Sequence, residues 1–222
     1  AREFAKTTIA AVGLASYLPL CAAFLAKKLY KPDLKIGIAS LCMMVDKYFK
    51  LNFKSLEKDL HENSCGSFLF AEAVFVLLPN AGMREFFRPG QIDRCGRINN
   101  SKSSSFVFPG PAGIPDVASY TKGLFVYVPR HTRRVFVDKV DYVSTAPEIH
   151  SVFTNLCVMK QRGGRLVVTS INEGVTKAQI SDNTGFEVEF EGCSTTPPPT
   201  DEELRRIRED VDPQSLRDLE FM

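Results

Sequence analysis

Short apolar runs recur along this chain at two different spacings. Residues 8–12 form a five-residue run closed by Gly13, the length of a buried strand. Leu18, Cys21, Ala22, Leu25 and Leu29 follow at helical spacing. Ser16 stands where an N-cap belongs, and Pro19 falls in the first turn, where a missing N–H costs little. Lys27, Lys28 and Lys31 sit at the dipole's negative end, and Pro32 stops the helix. Residues 34–38 read as a second strand, so the opening predicts a right-handed parallel βαβ unit. Residues 43–64 mix lysine with scattered Phe and Leu and predict loop with partial helix. Helical spacing returns over 67–80 through Phe68, Ala71, Phe75 and Leu78.

Further strands are predicted at 83–93 (broken by Pro89), 106–108, 123–128, 134–137 and 139–143. The Pro- and Gly-rich stretch 109–115 is too interrupted for regular structure. Residues 152–159 and 166–171 predict a hairpin across Gly163-Gly164. A short helix over 176–184 ends at Gly185 as a left-handed terminator, and 186–190 alternates like an edge strand. Thr200-Asp-Glu-Glu203 is a capping box that opens a charged helix with a narrow apolar stripe of Leu204, Ile207 and Val211. The pattern predicts one α/β domain over 1–195 and a Pro-rich spacer with a C-terminal helical arm over 196–222.

At 222 residues the chain can bury a sizeable core. Its 28 basic and 26 acidic residues leave a net charge of +2, which gives no electrostatic case for nucleic acid or an anionic membrane. The uncharged run 7–26 is long enough to suggest a membrane span or signal segment. Gly13, Ser16, Pro19 and the alanines divide it better into strand, turn and helix. The six cysteines form no C-x-x-C and only three histidines occur, so no metal site is predicted. Reduced, buried thiols point to a cytoplasmic protein.

Two segments carry the candidate chemistry. One is Gly90-Gln-Ile-Asp-Arg-Cys-Gly-Arg-Ile-Asn99; the other is Val128-Pro-Arg-His-Thr-Arg-Arg-Val-Phe-Val-Asp-Lys-Val-Asp141, running on to Ser144. Pro199-Thr-Asp-Glu-Glu-Leu-Arg-Arg-Ile-Arg, with Asp212-Pro213 and Arg217-Asp218 after it, closes the series. In order and spacing they resemble the B subunit of the glutaconate CoA-transferase type, within family I of the CoA-transferases. The resemblance is strongest over 90–144 and 174–218. It implies a three-layer α/β/α fold with a mostly parallel sheet of the CoA-transferase type. It also implies an A subunit as partner in an α2β2 assembly, with the active site at or near their interface. The substrate would be an acyl-CoA, coenzyme A entering only as part of it, with no other cofactor. Residues 1–4 resemble the tail of a helix that precedes the family's first strand.

In that family a glutamate attacks the thioester, forming an acyl-enzyme anhydride and then a glutamyl-CoA thioester, so that one hard exchange becomes several easier ones. This chain reads Ile38-Ala39-Ser40 at that place. Ala39 offers no nucleophile, and the Ser40 hydroxyl is unactivated without a base. Cys42 is intrinsically more nucleophilic, but a thiol in apolar surroundings is more often structural. Some glutaconate-transferase-like enzymes lack the glutamate. One group opens a cyclic β-diketone acyl-CoA late in steroid-ring breakdown; another decarboxylates a glutaconyl-type CoA. Residues 128–141 resemble the first group. The resemblance therefore implies hydrolysis with ring opening, or decarboxylation, in place of transfer. Two alternatives stay open. One is a true glutaconate-type transferase whose carboxylate comes from Asp46 or Glu72. The other is a non-catalytic structural or regulatory partner of the A subunit.

Gly110-Pro-Ala-Gly113 stands where the family has a glycine turn, which makes Gly110, Ala112 and Gly113 the oxyanion and CoA-binding candidates. Pro111 cannot donate, while an N–H at Ala112 or Gly113 aimed at developing charge would contribute roughly 3–4 kcal/mol. A purely structural turn is the alternative. Gln91, Asp93 and Asn99 either shape an acyl pocket or satisfy local backbone groups. Arg130, beside His131 and near Arg133 and Arg134, would pair with CoA phosphates or a substrate carboxylate, or else make surface or subunit contacts.

Overall fold

The computed structural model describes residues 1–13, 15–72, 82–120 and 123–221. The chain divides into two compact units: Ala1–Glu85 with Pro199–Met222, and Phe86–Pro198.

The first unit opens with the predicted βαβ unit. Strand β1 (Ile9–Val12) pairs in parallel with β2 (Lys35–Ile38), and α1 (Tyr17–Leu29) connects them. Of the predicted stripe, Cys21 and Leu25 are buried and Leu18, Ala22 and Leu29 are half-buried, while Leu20, Ala23 and Phe24, which the spacing did not single out, are fully buried. Residues 43–64 hold more regular structure than their sequence suggests. Strand β3 (Met43–Val45) lies antiparallel to β2, α2 spans Leu56–Glu62, and β4 (Ser64–Ser67) lies antiparallel to β3. Of the helix expected over 67–80, Ser67 ends β4 and Phe70–Glu72 forms one turn; 73–80 lie outside the described residues. On the other side of β1, the first half of β5 (Arg84–Phe87) pairs in parallel through Ala10 with Arg84 and Ala11 with Glu85.

The ends of α1 are held by other segments. Ser16 occupies the N-cap position, but its hydroxyl makes no capping bond. The Leu18 N–H donates instead to the Glu220 carboxylate at 2.7 Å. At the C-terminal end Lys27 is buried and its ammonium donates to the carbonyls of Pro32 and Leu34, at 2.7 and 2.9 Å. Residues 199–222 belong to this unit. Thr200 and Glu203 form the predicted capping box at the helix Asp201–Arg205. Glu203 also receives the Arg2 guanidinium and the Tyr30 hydroxyl. Burial alone would raise this carboxyl; Arg2, Tyr30 and the Thr200 N–H outweigh it and hold it at about 2. The helix runs on as a π-helical turn (Arg206–Val211), where Val211 is buried and its carbonyl accepts the Leu51 N–H at 2.8 Å. No helix among the described residues is long and apolar enough to cross a membrane.

The second unit carries two sheets. The small one consists of β6 (Gln91–Asp93) flanked by β7 (Ile98–Asn99), antiparallel, and β9 (Phe136–Val137), parallel. Its larger neighbour centres on β8 (Leu124–Val128), all five residues buried. Phe86 and Phe87 of β5 pair with β8 on one side, and β10 (Ile149–Thr154) pairs with it in parallel on the other. Strands β11 (Cys157–Arg162) and β12 (Arg165–Ile171) form the predicted hairpin across Gly163 and Gly164, at φ +55° and +78°, as a two-residue turn demands. Strand β13 (Glu189–Thr195) closes this edge parallel to β12, three residues later than the alternation at 186–190 predicts.

Several expectations fail here for local reasons. Residues 152–159 are two strands, because the chain reverses at Asn155-Leu156: the Thr154 hydroxyl accepts the Leu156 and Cys157 N–H groups, at 3.0 and 2.9 Å. Segment 106–108 forms only an isolated bridge from Val107 to Lys102, and 139–143 is irregular, with Val140 buried and Tyr142 and Val143 exposed. Helix α3 (Ile114–Tyr120) was not predicted; Pro115 lies in its first turn, where proline is tolerated. Gly185 follows α4 (Lys177–Asp182) without a left-handed φ. What it provides is room: a Cβ there would stand 2.5 Å from the Phe136 carbonyl oxygen.

Candidate functional site

In the first unit, Ala39–Leu41 forms a 3-10 turn at the C-terminal end of β2. Ligands of open α/β sheets gather at that end of parallel strands. Ser40 is exposed there. Cys42 sits at φ +48°, a left-handed conformation that costs a residue with a Cβ about 1–2 kcal/mol. Its carbonyl accepts the Phe68 N–H at 2.7 Å. The two carboxylates held open as substitutes are placed otherwise. Met43 lies opposite Ile38 and Val45 opposite Ile36, so Asp46 follows β3 at the far end of β2 from Ala39. One Asp46 oxygen is buried without a hydrogen-bond partner. Glu72 is exposed and accepts the Leu69 N–H at 3.0 Å.

In the second unit, Gln91, Asp93 and Asn99 come together on the small sheet, all three buried. Asp93 is wholly enclosed: it accepts the N–H groups of Cys95 (3.0 Å), Arg97 (3.1 Å) and Val140 (3.4 Å) and pairs with the Arg97 guanidinium at 2.7 Å. It thus holds the turn at Gly96. The Asn99 amide donates to Gln91 Oε1 and to the Lys102 carbonyl, both at 2.7 Å, and its oxygen accepts the Ser101 and Lys102 N–H groups. Gln91 in turn donates to Asp141 at 3.3 Å. Sequence reasoning did not single out Asp141, Asn100 or Ser144. Asn100 accepts the Gly90 N–H, and Ser144 accepts the Asn100 N–H at 2.9 Å, tying the loops at 99–104 and 141–145 together. Asn100 and Ser144 lie in polar stretches without periodicity, and Asp141 is a polar position in the alternation at 139–143, so no motif marked them.

The glycine loop is anchored to this network, since the Gly110 N–H donates to the Asn100 carbonyl at 3.0 Å. Gly110 lies at φ +115° and Ala112 at φ +47°, so the loop bends through a second left-handed residue that carries a Cβ. Ala112 and Gly113 are exposed, and their N–H groups donate to no acceptor among the described residues. Nothing lies within 4 Å of a Cβ built at Gly113, so an incoming group meets no side chain there. This loop can present two N–H donors to an oxygen.

The basic cluster is divided. Arg130 and Arg134 are exposed, and Arg133 donates to the Asp182 carbonyl at 2.7 Å. His131 turns inward, 3 % exposed, stacked 3.9 Å from Phe136 between the hydroxyls of Thr154 (3.1 Å) and Thr184 (3.0 Å). Burial pushes its pKa down to about 4. All six cysteines are thiols, and no group of three His, Cys, Asp or Glu able to hold a metal occurs among the described residues.

No protein-family model matches the chain. The IpdB subunit of the cholesterol ring-cleaving hydrolase of Rhodococcus jostii is 39% identical over 59% of this chain and 60% of its own length. The B subunit of the 3-oxoadipate CoA-transferase of Pseudomonas knackmussii is 28% identical over 55% of this chain and 56% of its own. The chain thus matches 56–60% of the length of these two curated relatives. Among solved structures, Rhodococcus jostii IpdAB superposes with a TM-score of 0.81 at 31% identity, covering 96% of this chain and 90% of that one. The decarboxylase AibA/AibB superposes at 0.87 with 22% identity, covering 98% and 94%. Together with the mostly parallel core and the strand-end turn, these likenesses establish that the chain belongs to the CoA-transferase family, among the B subunits of the glutaconate CoA-transferase type.

Proposed function

We infer that this chain is the B subunit of a heteromeric cytoplasmic enzyme that acts on an acyl-CoA thioester without transferring the CoA. The observation that carries this reading is Ala39 in the turn after β2. A methyl group can form neither an anhydride nor a glutamyl-CoA thioester, and on this reading the attacking group is water or the substrate itself. The likeness to a ring-cleaving hydrolase subunit favours water, with carbon–carbon cleavage of a cyclic β-diketone acyl-CoA. Decarboxylation is the neighbouring chemistry.

The chain's own contribution begins with the Ala112 and Gly113 N–H groups. They are free to accept the negative charge that develops on a carbonyl oxygen, at roughly 3–4 kcal/mol per well-placed donor. Arg130, exposed beyond β8, offers a planar fork for a CoA phosphate or a substrate carboxylate. An A subunit completes the assembly, as α2β2, and supplies the remaining groups. Coenzyme A enters as part of the substrate, and the chemistry asks for no further cofactor.

The test is a product analysis. The chain is co-expressed with its A-type subunit and given a cyclic β-diketone acyl-CoA and glutaconyl-CoA with excess acetate. Thioesters are then followed by mass spectrometry. A ring-opened or decarboxylated product without acetyl-CoA supports the reading. Acetyl-CoA as a product overturns it, because transfer would then survive without the glutamate at position 39.

A further inference from the structure

One carboxylate in the first unit has no part in the account so far. Glu85 lies in β5, in parallel register with Ala11 of β1, and Ala11 is in turn in register with Gly37 of β2. Residues in register share a sheet face, so Glu85, Ala11 and Gly37 form one row across three parallel strands. The Glu85 Cα stands two strand spacings, about 10 Å, from Gly37, with only a methyl and a hydrogen in the row between. Gly37 is two residues before Ala39, so this row runs beside the turn where the family's glutamate is missing. A Cβ built on Gly37 would stand in ordinary contact with Ile9 at 3.6 Å and the Ala11 backbone at 4.0 Å, so the row is lined by small residues and only Glu85 in it carries a charge.

Glu85 differs from its neighbours in being unpaired. Arg84, beside it, points to the opposite face and binds Glu3 at 2.6 Å. Lys35 shares the face but is exposed one pair back, opposite Ile9. Half-buried Glu85 has no hydrogen bond or ion pair among the described residues. A carboxylate left without a partner beside apolar strands costs stability and needs a reason.

We propose that Glu85 is the acid–base residue of this chain, moving the proton of the attacking water to the leaving group. This rests on the acyl-CoA hydrolysis reading above. The water O–H breaks and its oxygen bonds to the attacked carbonyl carbon, while Glu85 holds the released proton. The bond to the leaving carbon or sulfur then breaks with its electron pair, and that proton passes to it. No oxidant or further reactant is needed. Desolvation raises Glu85 to about 7, so both its protonation states are populated at neutral pH, as a group that must accept and return a proton requires.

The experiment uses the complex with the A subunit and whichever thioester it turns over. In Glu85→Gln, kcat should fall roughly 10²–10⁴-fold with little change in KM, the usual worth of general acid–base catalysis. The wild-type pH–rate profile should show a limb near pH 7 that Glu85→Gln lacks, and Glu85→Asp should keep that limb at reduced rate. Folding is read separately. The wild-type carboxyl must ionise as pH rises through the window from 4.5 to about 7, at a cost to the folded state, so Glu85→Gln should gain thermal stability over wild type between pH 5 and pH 8. A Glu85→Gln complex with undiminished kcat and an unchanged limb overturns the assignment alone. A wild-type complex that turns over no acyl-CoA overturns the functional reading, and this assignment with it.

Discussion

Lowering the pH should destabilise the second unit through one residue, His131. Its ring is enclosed by Phe136 on one face and by the hydroxyls of Thr154 and Thr184 at its two nitrogens. Those hydroxyls also lie within donating distance of carbonyls, Thr154 of Cys157 at 3.0 Å and Thr184 of Ile180 at 2.7 Å. The neutral ring has a single N–H for two oxygens, so one threonine must turn its proton to the ring. Protonation would remove that arrangement and place a charge where burial penalises it. The folded pKa is about 4 against a free value of 6.5. The unfolded chain therefore binds the proton first. The stabilisation is complete above pH 6.5 and is lost as pH falls through the window toward 4. The full difference is about 3 kcal/mol, and about 2 kcal/mol of it is lost between pH 7.5 and pH 5. Urea unfolding at those two pH values, on wild type and His131→Gln, isolates this contribution because the other acid-sensitive groups are common to both. Wild type should lose about 2 kcal/mol more than the variant. Equal losses, or a His131 ring that titrates near 6.5 by NMR in the folded protein, would refute the reasoning.

Two further substitutions probe the frame around the candidate loops. Gly185→Ala places a Cβ 2.5 Å from the Phe136 carbonyl oxygen, which is backbone and cannot rotate away, so it should cost about 1–3 kcal/mol by thermal denaturation. A variant as stable as wild type would show that Gly185 is not chosen for close approach. Asp93→Ala removes the acceptor of three N–H groups and the partner of Arg97, and should lower the urea midpoint by about 3 kcal/mol equivalent. Asp93→Asn keeps an oxygen for the backbone N–H groups and should fall between the two; an Asn variant weaker than Ala would show that charge, not turn geometry, dominates.

How much of this was legible in the residues depended on distance along the chain. Periodicity and proline placed β1, α1 and β2 within a residue or two, because that unit is built from contiguous spacing. Gly163-Gly164 located the β11–β12 hairpin, since a two-residue turn needs positive φ at both positions. Thr200 and Glu203 announced their capping box for the same local reason. The failures needed information from elsewhere in the fold. Ser16 is in the N-cap place, yet the acceptor comes from Glu220, about two hundred residues away. Gly185 looked like a helix terminator and is instead a clearance for Phe136. His131 read as part of a basic surface cluster, because nothing in its neighbours reveals that it alone turns inward between Thr154 and Thr184. Glu85 stayed unremarked because a single carboxylate in a strand has no motif; its interest arises only from the register that aligns it with Ala11 and Gly37.

Backbone strain bears on whether the chain is a catalytic subunit or an inert partner. Only three non-glycine residues among those described have positive φ: Cys42, Ala112 and Ser215. Ser215 is explained by its turn, where Asp212 accepts the Leu216 and Arg217 N–H groups. The other two lie in the loops that the family resemblance marks, one three residues after Ala39, the other inside the glycine turn. Each costs about 1–2 kcal/mol, and such strain persists only where the surroundings over-determine it. Glycine at position 112 would remove that cost. At this bend the exposed Ala112 and Gly113 N–H groups have no acceptor among the described residues. Under the proposed function, the bend at Ala112 would turn its loop's N–H groups toward the substrate oxygen, which favours altered chemistry over an inert partner.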